Sequence, residues 1–282
     1  MAINGDPLSS PIDPLRVSYA IGRMLGADDF QAEQNYHRGR LARMLASAVG
    51  TGTVSGLKVQ VKSAAAPADV ELQVTAGVAI DRAGRIIEVP SMVCLRLDAF
   101  LSNKKASAPQ DLLNAFKAGQ IVADVFLTFV AADRGKTPSF ATMDDYDATD
   151  AFVPNRLLDS FAMLLVLRAD ADPKLPQDAW AGVGPLRAPG SSAADPTADT
   201  LKQHILDADL GPALTPVEYP SDPTFDRTSV FLARLSIKGA QAPAGAVPTW
   251  DLTAVTVNNL SRLFLYPAAL AARWAGLTTG EV

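Results

Sequence analysis

The chain has 282 residues, 48% hydrophobic and 20% charged, with a formal net charge of −5. This length suits one large or two smaller cores. The acidic balance, with basic residues dispersed, argues against a nucleic-acid groove, and the single cysteine, Cys94, excludes an intrachain disulfide or a thiolate-built metal site within one protomer.

Residues 1–26 carry three prolines among polar residues and read as an N-terminal arm that is unstructured or bound to a neighbour. From Ala27 the pattern turns helical. Asp28 or Asp29 can cap, and Phe30, Gln34, His37, Leu41, Leu45 and Val49 recur every three or four residues until Gly50 and Gly52 stop the run. This predicts an attachment helix over 27–50. Tyr36, Met44 and three arginines, Arg38, Arg40 and Arg43, share it, and Gly39 interrupts it at a cost of about 1 kcal/mol relative to alanine. Two readings fit the arginines: a solvated face around an apolar stripe, or a contact between subunits.

A β domain is expected over 51–169 and 227–258. Thr53–Val61, Val70–Val74, Val78–Asp81, Ile86–Val89 and Met92–Leu97 are short strand patterns, with Asp81–Gly84 as a hairpin tip in a meander. Cys94, inside the apolar run MVCLRL, is expected to be a buried structural thiol. Pro109–Ala118 suits a short helix. Ile121–Ala131 and Asp159–Leu167 are strongly apolar strands joined by a polar loop, Asp133–Asn155, and Ser229–Ile237 and Trp250–Val257 are expected to close the same sheet. Between them, 170–226 is dense in Pro, Ala, Asp and Gly and reads as a loop-rich insertion with one helical candidate at Thr197–Leu210; 259–282 is a C-terminal helical segment. The fold class is therefore α+β, mainly β: an antiparallel sandwich or barrel-like domain preceded by a helix.

Sequence signals for chemistry are sparse. Asp144, Asp145, Asp147 and Asp150 form an oxygen-rich loop of the kind that a hard cation takes, without the glycine and terminal glutamate of an EF-hand. His37 and His204 are the only histidines, and neither sits in a zinc or triad motif. GTGTVSG lacks the Lys-Ser/Thr pair and following helix of a phosphate loop. No catalytic residue or cofactor is assigned. The N-terminus lacks the pattern of an export signal, and no apolar stretch approaches the roughly 20 residues of a bilayer span.

The run GRMLGADDFQAEQNYHRGRLARMLASAVGTGTVSGLKV, followed by VTAGVAIDRAGRIIEVP, resembles the N-terminal module of baseplate and tail-fibre-associated proteins of tailed phages and phage-derived contractile injection systems. Asp29, Phe30, Glu33, Gln34, Tyr36, His37 and Arg38 carry the distinctive spacing. DDYDATDAFVPNRLLDSFAMLLVL and SVFLARLSI with WDLTAVTVNNLSRLFLY fall where that family's later strands are expected, and the chain departs from the pattern at the alanine-rich Ala46–Gly50. The resemblance implies a structural subunit without catalytic residues, assembled in the cytoplasm into a virion or injection particle as several copies. Phe30, Gln34, Tyr36, His37, Arg38 and Arg40 are its candidate interface residues. Two other classes remain: a carbohydrate- or surface-binding β module using Trp180 and Trp250, and an envelope hydrolase using an unrecognised carboxylate pair.

Overall fold

The structure, a computed structural model, describes residues 15–64, 66–138, 152–177, 217–241, 243 and 246–268, together with Leu206. It is mainly β, with an N-terminal helix followed by open antiparallel sheets, and no closed barrel forms among the described residues. The elements run α1 (Ala27–Ala48), β1 (Gly52–Gly56), β2 (Val59–Lys62), β3 (Glu71–Val74), β4 (Gly77–Ile80), β5 (Ile86–Val89), β6 (Val93–Arg96), α2 (Leu97–Ser107), α3 (Pro109–Ala115), β7 (Phe116–Lys117), β8 (Gln120–Pro138), β9 (Phe152–Leu167), β10 (Val230–Ala240) and β11 (Thr249–Asn258).

The first six strands are three long strands, each broken in two. The pairing orders β1-β4-β5 and β2-β3-β6 repeat one meander on either side of a bend at 56–58, 75–76 and 90–92. Gly56 and Leu57 turn the first strand with φ of 62° and 55°. For leucine this backbone costs about 1–2 kcal/mol, an amount that complete burial of the side chain offsets. The ladder survives the corner, because Leu57 N donates to Ala76 O (3.2 Å) and Thr75 N to Lys58 O (3.0 Å). Gly77 must be glycine here: a Cβ would strike the Ser55 carbonyl. The expected strand Thr53–Val61 is thus two strands on two sheets. Cys94 corrects another expectation, since it is exposed. Side chains alternate along β6, so Val93 and Leu95 lean inward while Cys94 and Arg96 face out.

β8 is the centre of the larger sheet. β10 lies along one edge from Val230↔Leu127 to Lys238↔Gln120, with β11 outside it, and β9 lies along the other from Ala123↔Leu167 to Pro138↔Phe152. On one face Ile121, Ala123, Val125, Leu127 and Phe129 join a single core with Leu57, Leu72 and Ile87 of the meander and Leu97, Leu101 and Leu112 of α2 and α3. On the other, Phe126 packs edge-on against Tyr219, Phe225 and Phe231, with ring centroids 4.9–5.9 Å apart. Burial on both faces explains why this strand is apolar on both sides, with Asp124 and Thr128 the buried polar exceptions. Of the expected loop Asp133–Asn155, residues 139–151 lie outside the described residues, and the rest is not loop: Asp133–Pro138 and Phe152–Asn155 continue the ladder as a two-stranded ribbon beyond the end of β10. Helix α2 was not anticipated, and Leu97 starts it instead of ending a strand.

The described residues of the expected insertion, 170–177 and 217–226, lie on the sheet, with Glu218 and Tyr219 buried. The expected helix at Thr197–Leu210 lies outside the described residues except for Leu206, which is helical. The expected C-terminal helix does not begin at Asn259. Instead 259–267 is a turn and an extended stretch along the open edge of the meander. The Asn259 side chain accepts from Val59 N (2.9 Å) and donates to Val59 O (2.8 Å), Arg262 donates to Leu57 O (2.7 Å), and Thr53 exchanges hydrogen bonds with Leu263 O and Leu265 N (2.9 Å each). These partners satisfy the unpaired edge groups of β1 and β2, which outweighs the helical pattern of the segment.

Candidate assembly surface

The hairpin tip is built to hold a helix. Asp81 Oδ1 accepts from Ala83 N (2.9 Å) and Arg85 N (2.8 Å), Oδ2 accepts from Arg85 Nε (2.6 Å), and Arg85 reaches on to Thr228 Oγ1 (2.7 Å) with its guanidinium 4.6 Å from the Phe129 ring centroid. Burial pushes the Asp81 carboxyl up despite the Arg85 charge and the hydrogen bonds. Gly84, at φ 82°, sits against the backbone of Ala42, where a Cβ would collide with the Ala42 carbonyl. Helix and tip meet through small residues.

Helix α1 starts cleanly: Gly26 N donates to Asp29 Oδ2 (3.0 Å), half of a capping box, and Asp29 is paired with Arg23 (2.9 Å). Tyr19 bonds Glu33, so the arm lies along the first turns. The helix ends where Gly50 takes φ 91° and its N–H bonds Leu45 O (3.1 Å). Yet in 22 residues only Gly39 and Ala42 are buried. Phe30, Leu41 and Met44 are 52%, 59% and 64% exposed, and Ile21 and Met24 of the arm are exposed as well.

The sequence-predicted interface residues divide. Phe30, Gln34 and His37 are exposed along one side. Tyr36 is half-buried, and the exposed Arg40 lies 5.2 Å from its ring centroid. Arg38 turns the other way, into a groove of about 160 Å³ that it lines with Leu41, Leu45, Gly84, Phe129 and Asp159. His37 sits 3.9 Å from Glu33 and 5.5 Å, edge-on, from Tyr36. At the other end of α1 an open cleft of about 610 Å³ is bounded by Val49, Arg82, Leu260, Arg262, Phe264 and Tyr266. Burial lowers the Arg262 guanidinium to about 10.

A buried charge cluster escaped the sequence reading. Asp124, in mid-β8, is fully buried and accepts from Arg168 and, through both oxygens, from Arg234 (2.8 and 2.9 Å). Arg168 continues to Asp170 (2.8 Å) and Glu218 O (2.6 Å), Arg234 to the carbonyls of Pro173 and Lys174, and Arg82 to Glu218 (2.7 Å) and Tyr219 OH (3.0 Å). Tyr219 in turn donates to Ser229 O (2.6 Å), and burial pushes its phenol well above the ordinary range. These charges are paired, with no nucleophile among them; the cluster fastens the two ends of the insertion to the sheet. The only signal for it in the sequence is an aspartate within an apolar strand.

Asp144, Asp145, Asp147, Asp150, Trp180 and His204 lie outside the described residues. Trp250 is half-buried against the core and donates to Asp98 (3.0 Å), which suits an anchor more than an open stacking platform. Among the described residues no group of three or more His, Cys, Asp or Glu converges as a metal site, and no helix is long and apolar enough to cross a membrane. No protein-family model matches the chain, and the search of curated proteins likewise finds no match.

Proposed function

We propose that this protein is a structural component of a phage tail or contractile injection particle, baseplate-peripheral, fibre-anchoring or cap-type, that works by protein–protein assembly with α1 as its attachment element. The observation that carries this reading is α1 itself, a 22-residue helix with two buried residues and large apolar side chains in solvent. Helices in proteins owe most of their stability to packing of an apolar face, and exposed apolar surface of this kind marks an interaction site. The spacing of Asp29, Phe30, Glu33, Gln34, Tyr36, His37 and Arg38 supplies the family resemblance and falls on the same helix. The chemistry is attachment, without a catalytic step.

Co-expression with the sheath, tube and baseplate proteins of a tail or injection particle tests the proposal. The full chain is expected to copurify with at least one of them, and Leu41→Glu to abolish that. A chain that copurifies with none would overturn the reading.

A further inference from the structure

Phe30, Gln34, His37, Leu41, Met44 and Ala48 are separated by 4, 3, 4, 3 and 4 residues, and all six are exposed. That alternation is the seam spacing of a coiled coil. At 3.6 residues per turn the stripe lies about 150° round the axis from Gly39 and Ala42, so α1 can sit on its own hairpin tip and still receive a second helix. A seam with large apolar side chains at Phe30, Leu41 and Met44, and with polar Gln34 and His37 inside it, trades stability for a defined register.

The flanks indicate which helix fits. Glu33 and Arg40 lie on the same side of the stripe, one turn either side of Tyr36. If two copies of α1 run antiparallel about His37, Phe30 of each meets Met44 of the other, and Glu33 of each faces Arg40 of the other. Both Glu33–Arg40 contacts, on one flank of the seam, are then attractive, while Arg38 on the other flank turns into the groove beside its own hairpin tip. The two ends of α1 match in the same sense: its N-terminal end carries the exposed Ile21 and Met24, and its C-terminal end opens onto the cleft beside Val49, Leu260 and Phe264. An antiparallel pair sets each arm near the other copy's cleft; a parallel pair would set arm against arm and cleft against cleft.

We propose that α1 is the interface between two copies of this chain, paired antiparallel through Phe30, His37, Leu41 and Met44, with the arm of each copy directed to the cleft of the other. The proposal rests on the reading of α1 as the attachment element and names its partner. Sedimentation equilibrium of the full chain between about 1 and 100 µM should give a dimer, and Met44→Glu should weaken it by about 100-fold or more. Glu33→Arg or Arg40→Glu alone should weaken it several-fold, with the double variant restoring it. Arg40 is exposed, whereas Glu33 is half-buried and bonded to Tyr19; Glu33→Arg alone and the double variant both lose that bond, so recovery in the double variant reports the contact between copies even where Met44→Glu disturbs folding.

Orientation is read by oxidative crosslinking in a Cys94→Ser background. Phe30→Cys mixed with Met44→Cys should give the mixed disulfide dimer. A Phe30→Cys dimer forming instead, or a monomer throughout the range, would overturn the proposal. A monomer that still copurifies with its particle neighbours would sink the self-pairing and leave the assembly role standing, whereas a dimer that copurifies with none would do the reverse.

Discussion

Strand β8 and helix α1 are treated in opposite ways by the same fold. The middle of β8 is buried on both faces, and even its one charge, Asp124, has two arginines for partners. Helix α1 has a similar number of residues, 22 against 19, and buries a glycine and an alanine. The interactions that define the body are thus completed inside one chain, whereas those that α1 could make are left open. Stability and recognition reside in different elements, so substitutions should separate them.

The largest effect is expected at Asp124. Asp124→Ala leaves Arg168, 1% exposed, without its buried counter-charge and should cost about 3–5 kcal/mol in urea unfolding. Leu101→Ala, which opens a cavity under α2, should cost about 2–5 kcal/mol. Gly84→Val places a β-branched residue at φ 82° against the Ala42 backbone. It should cost about 2 kcal/mol and loosen α1 selectively, seen as faster proteolysis within 27–48 than in the sheets.

Asp170 should show a smaller, pH-limited effect. Burial would raise its carboxyl, but hydrogen bonds from Ser221 and Arg168 outweigh burial and hold it below 3.8. The stability it supplies is therefore complete above about pH 4 and is lost as the pH falls through its lowered folded value. Asp170→Asn should flatten that acid limb in unfolding midpoints measured against pH. The smallest change is expected from Leu41→Ser, within about 0.5 kcal/mol for the isolated chain. A loss near that of Leu101→Ala would mean that α1 packs on the body far more than its exposure indicates, and the contrast between the two regions would collapse.

Much of this was legible where one local rule decided the outcome. The glycines after Val49 ended α1, and the Asp-Arg-Ala-Gly turn marked the hairpin tip that became the seat of the helix. Long apolar runs gave β8, β9 and β10. What escaped depended on partners distant in the chain. Nothing near Leu57 announces a left-handed leucine, because the burial that offsets it comes from a core assembled by other strands. Cys94 looked buried because an apolar run hides the two-residue alternation. Asp133–Pro138 looked like a loop because a ribbon standing clear of the sheet has no apolar face to show. The helical spacing of α1 was visible; that its apolar stripe would stay exposed, with only Leu41 reaching the groove beside the hairpin tip, was not, since Gly39 and Ala42, the residues that do the packing, carry almost no hydrophobic signal.

The bond between Asn259 and Val59 spans 200 positions of the chain. During synthesis the meander leaves the ribosome early, and its hairpins can pair at once from local contacts. Its outer edge nevertheless stays open until the ribosome has made nearly all of the body. For that interval the nascent chain exposes a strand edge on which another chain could template. Truncation before Asn259 should therefore turn an otherwise local fold into an aggregating one, even though all six meander strands are present.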